Sequence, residues 1–370
     1  MIVLFLLFHF TLTQVDARNA SMGREIAILP AAPADQIDVK FRILGHDSIV
    51  FTVNDSISQL QKLPLNPSFK TIILIHGWLD TIATARFWWQ PILNTVTMFN
   101  AHRDYEQGDG YQVIFVDWSR GAGSSYYVPA VSNLRVAAGV LSHMIRILID
   151  DLNFDSSRIR LIGFSLGAHL AGFTGKLLTG RHRLAWITGL DPANALFEMS
   201  SPAGSIYKSD ARYVDIVHTS SGSVLQGYSK VGPLGCADFY VNGASGNQQS
   251  GCEEDMPLGA IGGFFSRRRP CAHDRSPLFF STLRSLPDCQ NIGFACSSYE
   301  KFLDGRCASC GPDEEECKLF GFWDDVSSNR WPMTSPDSPV CSHEKLFFNA
   351  SPVRPCREYL FYKHNMSENA

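Results

Sequence analysis

No cysteine precedes Cys236 in this chain of 370 residues, so disulfides cannot hold its first two thirds together. Charge is also scarce, because Asp, Glu, Lys and Arg make up 18% of the residues, below the roughly 25% of an average globular domain. Neither sign dominates, since 32 basic residues nearly balance 36 acidic ones, which argues against binding of nucleic acid. The 45% hydrophobic content excludes a disordered chain and indicates a large core.

The N-terminus begins with an apolar run from Met1 to Leu12. A membrane anchor needs about 20 apolar residues, and neither this run nor any later stretch is long enough. Small residues occupy the −3 and −1 positions of a cut after Ala17, although the usual basic residues before the run are missing. We therefore predict that residues 1–17 are a cleaved secretory signal; a buried strand is the alternative.

All ten cysteines lie between Cys236 and Cys356. In a secreted protein they are expected to form disulfides rather than a metal site. Cys307 and Cys310 have the spacing of a zinc-ligand pair, but no second pair stands at zinc-ribbon distance. Sequons that agree with secretion, and predict a glycoprotein, begin at Asn19, Asn54, Asn349 and Asn365.

Apolar runs and helically spaced apolar residues alternate along the chain. The runs are continuous, as is typical of strands buried on both faces of a parallel sheet. We predict strands at 71–78, 111–118, 159–162, 186–190 and 213–217, and helices at 79–99, 130–152 and 166–178. Residues 37–53 alternate as edge strands do. This order predicts an α/β fold with a doubly wound, mostly parallel sheet, in which chemistry occurs at the carboxyl ends of the strands.

A serine stands between the third of these strands and the helix that follows, in the sequence Gly163-Phe164-Ser165-Leu166-Gly167. In the G-x-S-x-G pattern the serine occupies a sharp, strained turn, and the glycines relieve crowding because they have no Cβ. The hydroxyl then projects above the sheet beside the positive helix N-terminus. We interpret Ser165 as a nucleophile; the alternative is an ordinary tight turn with a capping serine.

A nucleophilic serine needs a histidine base and an acid, which in hydrolases of this kind follow it in the chain. His218 ends a predicted strand and His273 lies in a loop after a glycine-rich segment, and the pattern alone does not decide between them. Asp191 ends a buried strand, where a carboxylate can orient an imidazole. This position favours Asp191 over Asp117, which precedes the serine, and over Asp215, which lies in mid-strand.

The negative charge that develops on an attacked carbonyl needs backbone N–H groups aimed at it. One is expected from Leu166, directly after the serine, and another from the loop after the first buried strand. That loop reads His76-Gly77-Trp78-Leu79, and Trp78 would supply its main-chain N–H.

Seven motifs, in one order between about residues 30 and 350, together resemble the pancreatic lipase family. They are His76-Gly-Trp78, Val116-Asp-Trp118, Gly163-Phe-Ser-Leu-Gly-Ala-His169, Gly189-Leu-Asp-Pro-Ala193, Val214-Asp-Ile-Val-His-Thr219, Ala237-Asp-Phe-Tyr-Val-Asn-Gly243 and Cys271-Ala-His-Asp-Arg-Ser276. The resemblance implies an α/β-hydrolase fold with Ser165 as nucleophile, Asp191 as acid and His273 as base. The resemblance selects His273 rather than His218 as the base, and it implies Trp78 and Leu166 as the oxyanion donors.

Lipases of this family carry a lid, closed by a disulfide, just before the catalytic histidine. Cys252 and Cys271 hold that place, and we call residues 253–270 between them the lid segment. The lid segment is acidic, then apolar, then basic. We expect its apolar face to cover the site in water and to meet lipid when open.

Family spacing implies two more disulfides, Cys296–Cys307 and Cys310–Cys317. The remaining four cysteines would form two bridges of open pairing, with Cys341–Cys356 as one option; they are Cys236, Cys289, Cys341 and Cys356.

Two features depart from the triacylglycerol lipases of the family. Those enzymes carry a second, β-sandwich domain, for which residues 351–370 leave no room, so we expect one domain over 18–350, a monomer and no colipase. The calcium site of the family also fails to carry over. Asp210 matches one ligand position, but Pro202, Ser205 and Tyr207 stand where charged or carbonyl-presenting groups are expected. No metal and no cofactor are therefore expected.

The sequence thus predicts a secreted serine esterase that acts on lipid esters at a membrane or emulsion interface. The missing domain, together with a lid segment that looks shorter than those of the family's triacylglycerol lipases, favours phospholipase A1 activity slightly over triacylglycerol lipase activity. The alternative is a catalytically silent, yolk-like lipid-binding protein of the same fold. Relatives of that kind typically lose the serine or the histidine, whereas here all three positions are filled.

Overall fold

The structure, a computed structural model, describes most of the first 244 residues and separate pieces of the last third. The described residues are 29–46, 49–101, 110–197, 200–222, 230, 232–244, 249, 252, 271–282, 292–307, 309–310, 317–319, 321 and 344–348. The predicted signal, the lid segment and the tail lie outside them. So do Cys289, Cys341, Cys356 and three of the four sequons, and the fourth sequon residue, Asn54, is exposed.

The strands of the described residues form one eleven-stranded sheet. They are β1 (Lys40–Ile43), β2 (Val50–Phe51), β3 (Lys70–Ile75), β4 (Tyr111–Asp117), β5 (Ile159–Phe164), β6 (Trp186–Leu190), β7 (Tyr213–His218), β8 (Ala237–Val241), β9 (Ile292–Ala295), β10 (Cys317–Leu319) and β11 (Glu344–Phe348). Every residue of β3, β5 and β6 is buried, as their unbroken apolar sequences predict.

The strand order across the sheet is β10-β9-β11-β8-β7-β6-β5-β3-β4-β1-β2. The strands from β4 to β11 in this order run parallel, and antiparallel pairs form both edges. β5 lies beside β3 on the side away from β4, so the direction of winding reverses at this point. Sheets of this kind have a crevice for ligands at the carboxyl ends of the strands where the winding reverses. The Ser165 turn and the loop after β3 lie there.

Helices cover both faces of the sheet. They are α1 (Ala34–Ile37), α2 (Ile57–Leu60), α3 (Arg86–Ala101), α4 (Ser119–Ala122), α5 (Tyr127–Asp150), α6 (Leu166–Leu177), α7 (Cys271–Thr282) and α8 (Tyr299–Leu303). The helices α5 and α6 bury Leu134, Leu141 and Leu170 in the core of one face. The helices α3 and α7 bury Trp88 and Phe280 in the core of the other. This layering confirms the predicted α/β fold with a mostly parallel sheet. None of the helices described is long and apolar enough to cross a bilayer.

Most predicted elements lie within a few residues of their expected place, and the differences have local causes. The helix predicted from Leu79 begins at Arg86, because Leu79 has a left-handed backbone (φ 59°) and its N–H donates to the Ala122 carbonyl. Ile37, predicted on an edge strand, belongs to α1. The strand β8 was not predicted, because the charge of Asp238 interrupts its apolar run, although this side chain is fully buried.

Candidate active site

Ser165 occupies a strained turn between β5 and α6. Its backbone has φ 57° and ψ −118°, a conformation that costs a residue with a side chain on the order of 1–3 kcal/mol. Its N–H donates to the Leu190 carbonyl at the end of β6, at 3.0 Å. The turn is thereby held at the sheet edge, with the serine at the N-terminus of α6.

The two glycines of the motif are required by close approach of backbone. A Cβ on Gly163 would lie well under 3.0 Å from the Gly167 carbonyl oxygen. A Cβ on Gly167 would lie equally close to the carbonyl oxygen of Ile75, at the end of β3. The spacing G-x-S-x-G is therefore a steric consequence of packing the first turn of α6 against β5 and β3.

Asp191 lies next to the serine turn because β5 and β6 are in register, with Phe164 opposite Leu190. The carboxylate is fully buried. It accepts hydrogen bonds from the Thr219 N–H at 2.7 Å, from the N–H and hydroxyl of Ser220, and from His273 Nδ1 at 2.6 Å.

These hydrogen bonds decide the charge of Asp191. Burial by itself would raise the pKa of the carboxyl, but the bonds from His273, Ser220 and Thr219 outweigh burial, and the pKa lies below its usual value. The group is therefore an anion at neutral pH, positioned to orient the imidazole and to stabilise its cation.

His273 is delivered to the site by α7. The helix begins at Cys271, whose disulfide to Cys252 ties this end of α7 to a second point of the chain. The imidazole is 3% exposed and lies against the ring of Phe164, with 4.8 Å between ring centroids. A carboxylate only accepts, so Nδ1 carries the hydrogen in the bond to Asp191, and Nε2 is the ring atom able to accept a proton.

His218, the rival base, is placed elsewhere. Its Nε2 is 2.8 Å from Asp238 Oδ1, its ring stacks on Tyr240, and it is fully buried. Asp238 also accepts the N–H groups of Leu234 and Gly235, so this pair organises the turn before β8. Of the two candidate histidines, the structure brings His273 to Asp191.

His169, one turn into α6, is also structural. Its Nε2 is 2.8 Å from the Ala193 carbonyl, its Nδ1 accepts the Ile206 N–H at 3.2 Å, and its ring stacks on Phe197. Burial lowers the pKa of His169 to about 3, so the ring is neutral. His169 thus joins α6 to two points, Ala193 and Ile206, of the segment that connects β6 to β7.

The other two candidate acids have hydrogen-bond partners outside this cluster. Asp117 accepts hydrogen bonds from Arg42 Nε at 3.2 Å and from the Ser119 hydroxyl. Asp215 accepts from Trp186 Nε1 and from the Thr188 hydroxyl, inside the sheet. Their partners are structural, which agrees with the preference for Asp191.

The loop after β3 passes directly beside the serine. A Cβ on Gly77 would lie 3.0 Å from Ser165 Cβ, so the backbone of the expected oxyanion loop is in contact with the turn. The next residue, Trp78, is half-buried, and its indole Nε1 donates to the Ser124 carbonyl at 2.9 Å. Leu166, the other expected donor, is the first residue of α6, where backbone N–H groups have no helical partner.

His76 and Ser220 support the site, and the sequence assigned neither of them a role. His76 is fully buried; its Nδ1 is 2.9 Å from the Gly77 carbonyl, and its Nε2 accepts the Trp118 N–H. The only sequence signal for His76 was its place in the His-Gly-Trp motif. Ser220 lies in none of the motifs. It can donate to the Asp191 carboxylate because the end of β7 lies beside Asp191.

The disulfides present include the three implied by family spacing: Cys252–Cys271, Cys296–Cys307 and Cys310–Cys317. Cys236 is also disulfide-bonded.

A parallel sheet with a strained serine after a central strand, and with an aspartate–histidine pair at the same edge, defines the α/β-hydrolase class. Within that class, the model of the Lipase family matches residues 11–334. The chain belongs to this family, that of pancreatic lipase.

Individual relatives agree with this assignment. The chain is 32% identical over 301 residues to lipase member H of Oryctolagus cuniculus, covering 80% of this chain and 60% of that protein. It is 33% identical over 283 residues to hepatic triacylglycerol lipase of Mus musculus, covering 73% and 51%. The chain thus spans between about half and three fifths of these two relatives.

Two solved structures of esterases overlap about half of the chain or less. An esterase of Pyrococcus furiosus overlaps 41% of this chain and 62% of its own at 16% identity and a TM-score of 0.29. An acetyl xylan esterase of Aspergillus awamori overlaps 49% and 67% at 14% identity and a TM-score of 0.30.

Proposed function

We propose that this protein is a secreted carboxylic-ester hydrolase that cleaves lipid esters with Ser165, Asp191 and His273. The observation that carries the proposal is the 2.6 Å hydrogen bond between Asp191 and His273, at the sheet edge where Ser165 occupies its strained turn. Membership in the Lipase family supports an ester as the substrate.

The reaction would begin with attack of the Ser165 hydroxyl oxygen on the ester carbonyl carbon. His273 Nε2 takes the hydroxyl proton, and the N–H groups of Leu166 and Trp78 bind the oxyanion. Collapse of the tetrahedral intermediate breaks the ester C–O bond, and the imidazolium returns its proton to the leaving alcohol. An acyl-enzyme remains on Ser165.

Water completes the cycle. The water oxygen attacks the acyl carbon while His273 accepts a proton from the water. The proton then passes to the Ser165 oxygen as the bond to the fatty acid breaks. Asp191 is ionised, because hydrogen bonds from His273, Ser220 and Thr219 hold its pKa below the usual value. It stabilises the imidazolium and does not take the proton.

Secretion and the lid belong to the same proposal. Disulfides persist in oxidising compartments, and three pairs in the described residues fit an extracellular protein. The Cys252–Cys271 bridge joins the two ends of the lid segment, and Cys271 lies two residues before His273. We propose that it opens at a lipid interface and that the protein acts there as a monomer without colipase.

The substrate is proposed to be a phospholipid or a triacylglycerol. One of the two relatives is a triacylglycerol lipase, which supports lipid esters as the substrate for either class of activity. Product analysis of purified protein on mixed phosphatidylcholine and triolein emulsions separates the two. Release of a lysophospholipid supports phospholipase A1 activity, and release of diacylglycerol supports triacylglycerol lipase activity.

The second candidate is a silent lipid-binding protein, favoured only if the serine does not react. A fluorophosphonate probe distinguishes the two, because it labels an activated serine covalently. We expect labelling of the wild type and of Ser58→Ala, which changes an exposed serine, and no labelling of Ser165→Ala. Equal labelling of Ser165→Ala, or an unlabelled wild type, would refute the catalytic proposal.

A further inference from the structure

A partly buried lysine binds the segment that connects β6 to β7. Lys176 lies in the last turn of α6, and its Nζ is 2.5 Å from both carboxylate oxygens of Asp210 and 2.9 Å from the Ser205 carbonyl oxygen. The side chains of Lys176 and Asp210 are 12% and 1% exposed. A single ammonium therefore joins two acceptors of this segment to the helix that begins beside Ser165.

The helix face is shaped for this approach. A Cβ on Gly175 would lie well under 3.0 Å from the Asp210 carbonyl oxygen, and a Cβ on Gly172 would lie 2.8 Å from Asp210 Oδ2. Both positions need glycine because the segment lies directly on the helix. The Tyr207 N–H donates to Asp210 Oδ2 at 2.8 Å, which aims the carboxylate at the ammonium.

A second lysine holds the same segment from another side. Lys230 Nζ is 2.9 Å from the Ser205 hydroxyl and 2.8 Å from the Ser200 hydroxyl. Its backbone N–H donates to the Pro192 carbonyl, next to Asp191. Ser205 is thus bound through its carbonyl by Lys176 and through its hydroxyl by Lys230.

Asp210 matches one ligand position of the family's calcium site, and the contacts around it show whether these residues fit that ion. Calcium takes six to eight oxygen ligands, several of them carboxylates. Here the Asp210 carboxylate and the Ser205 carbonyl converge on an ammonium, so Ser205 does present a carbonyl to this position, contrary to expectation. Among the residues with described placement, no group of three or more His, Cys, Asp or Glu is arranged to hold a metal. These residues do not fit calcium.

We propose that the ammonium of Lys176 is a built-in cation that takes the place of a divalent ion between α6 and the 205–210 segment. The protein would then fold and keep the segment after Asp191 in place without calcium. This inference concerns how the fold is held together and does not depend on the proposed ester hydrolysis.

The first test uses the wild-type protein and its thermal unfolding midpoint. We expect the same midpoint in millimolar CaCl₂ and in excess EGTA, and no calcium retained after equilibrium dialysis. A midpoint that rises in CaCl₂, or one calcium ion retained per chain, would overturn the proposal. Neither readout uses catalysis, so a failure here would leave the proposed function untouched.

The second test removes the ammonium with Lys176→Ser. We expect a lower midpoint in EGTA and a partial recovery in CaCl₂, because the carboxylate and the carbonyl then face a space that a hard cation can enter. The double variant Lys176→Ser/Asp210→Asn should show no recovery. Lys62→Met, at an exposed lysine, should leave the midpoint unchanged in both solutions.

Two outcomes contradict the inference. An unchanged midpoint for Lys176→Ser would mean that the ammonium does not hold the segment. A lowered midpoint with no response to CaCl₂ would mean that the ammonium does not occupy a cation position. If Lys176→Ser does not fold, the calcium titration and dialysis of the wild type still decide the question.

Discussion

Replacement of His169 by glutamine should make the free energy of unfolding less sensitive to acidic pH. The wild-type ring is buried and neutral, with Nε2 donating to the Ala193 carbonyl and Nδ1 accepting the Ile206 N–H. Protonation would require a buried cation with a donor on each nitrogen, and Nδ1 already faces an N–H group. Glutamine can still donate a hydrogen bond but cannot be protonated in this range.

The magnitude follows from the pKa of His169, which burial lowers from 6.5 to about 3. The folded state binds this proton less readily than the unfolded state, so the stabilisation is complete above pH 6.5 and is lost as the pH falls towards 3. Each pH unit below the unfolded-state pKa of 6.5 costs about 1.4 kcal/mol of unfolding free energy. Near pH 4.5 the loss of unfolding free energy should therefore be on the order of 2–3 kcal/mol. On acidification from neutral pH to pH 4.5, His169→Gln should lose less unfolding free energy than the wild type, by about 2–3 kcal/mol.

The measurement is urea unfolding followed by tryptophan fluorescence, at neutral pH and near pH 4.5. The quantity compared between the proteins is the change in unfolding free energy from neutral pH to pH 4.5. The substitution also lowers stability at neutral pH, because the stacking on Phe197 is lost, and taking the change removes this effect. His143→Gln, at an exposed histidine of α5, should behave as the wild type. If His169→Gln and the wild type lose the same free energy on acidification, the buried ring is not the acid-sensitive group.

Two further predictions concern the serine turn and the acid. Gly167→Ala should lower stability by at least about 1–3 kcal/mol in thermal unfolding, because its Cβ would collide with the Ile75 carbonyl. Gly139→Ala, where a Cβ meets nothing within 4 Å, should instead be neutral or stabilising, and equal effects would contradict the steric argument. Asp191→Asn should lower kcat on a soluble ester by about 10⁴, since in the proposed mechanism the carboxylate orients His273 and stabilises its cation. A loss below tenfold would show that the carboxylate is not needed.

The sheet was predictable because its signals are local. The strands β3, β4 and β6 carry continuous apolar runs, which only a strand buried on both faces satisfies. The serine turn was predictable partly for the same reason, since Gly163 is crowded by the nearby backbone of Gly167, whereas Gly167 is crowded by Ile75 of the distant strand β3. Strand β8 was missed because its buried Asp238 is satisfied by His218 on the neighbouring strand β7 and by N–H groups of the turn before β8, a pairing that the residue pattern does not show.

The choice of histidine could not be made from residue pattern alone. His218 and His273 both stand where a base is plausible, and only the family resemblance separated them. In the structure His218 faces Asp238 while the Cys252–Cys271 bridge and α7 carry His273 to Asp191. Contacts across about eighty residues depend on how elements pack, and spacing along the chain does not encode that.

The sequence by itself determined the central strands of this protein and the position of Ser165 between a strand and a helix, because hydrophobic runs and the crowding of Gly163 against Gly167 are set by neighbouring residues. Only the tertiary structure decided which polar groups meet. It paired Asp191 with His273 and Ser220, and it placed the Lys176 ammonium against Asp210. A buried polar group must find a partner inside the fold, and which partner it finds depends on strand register and helix packing rather than on the residues beside it.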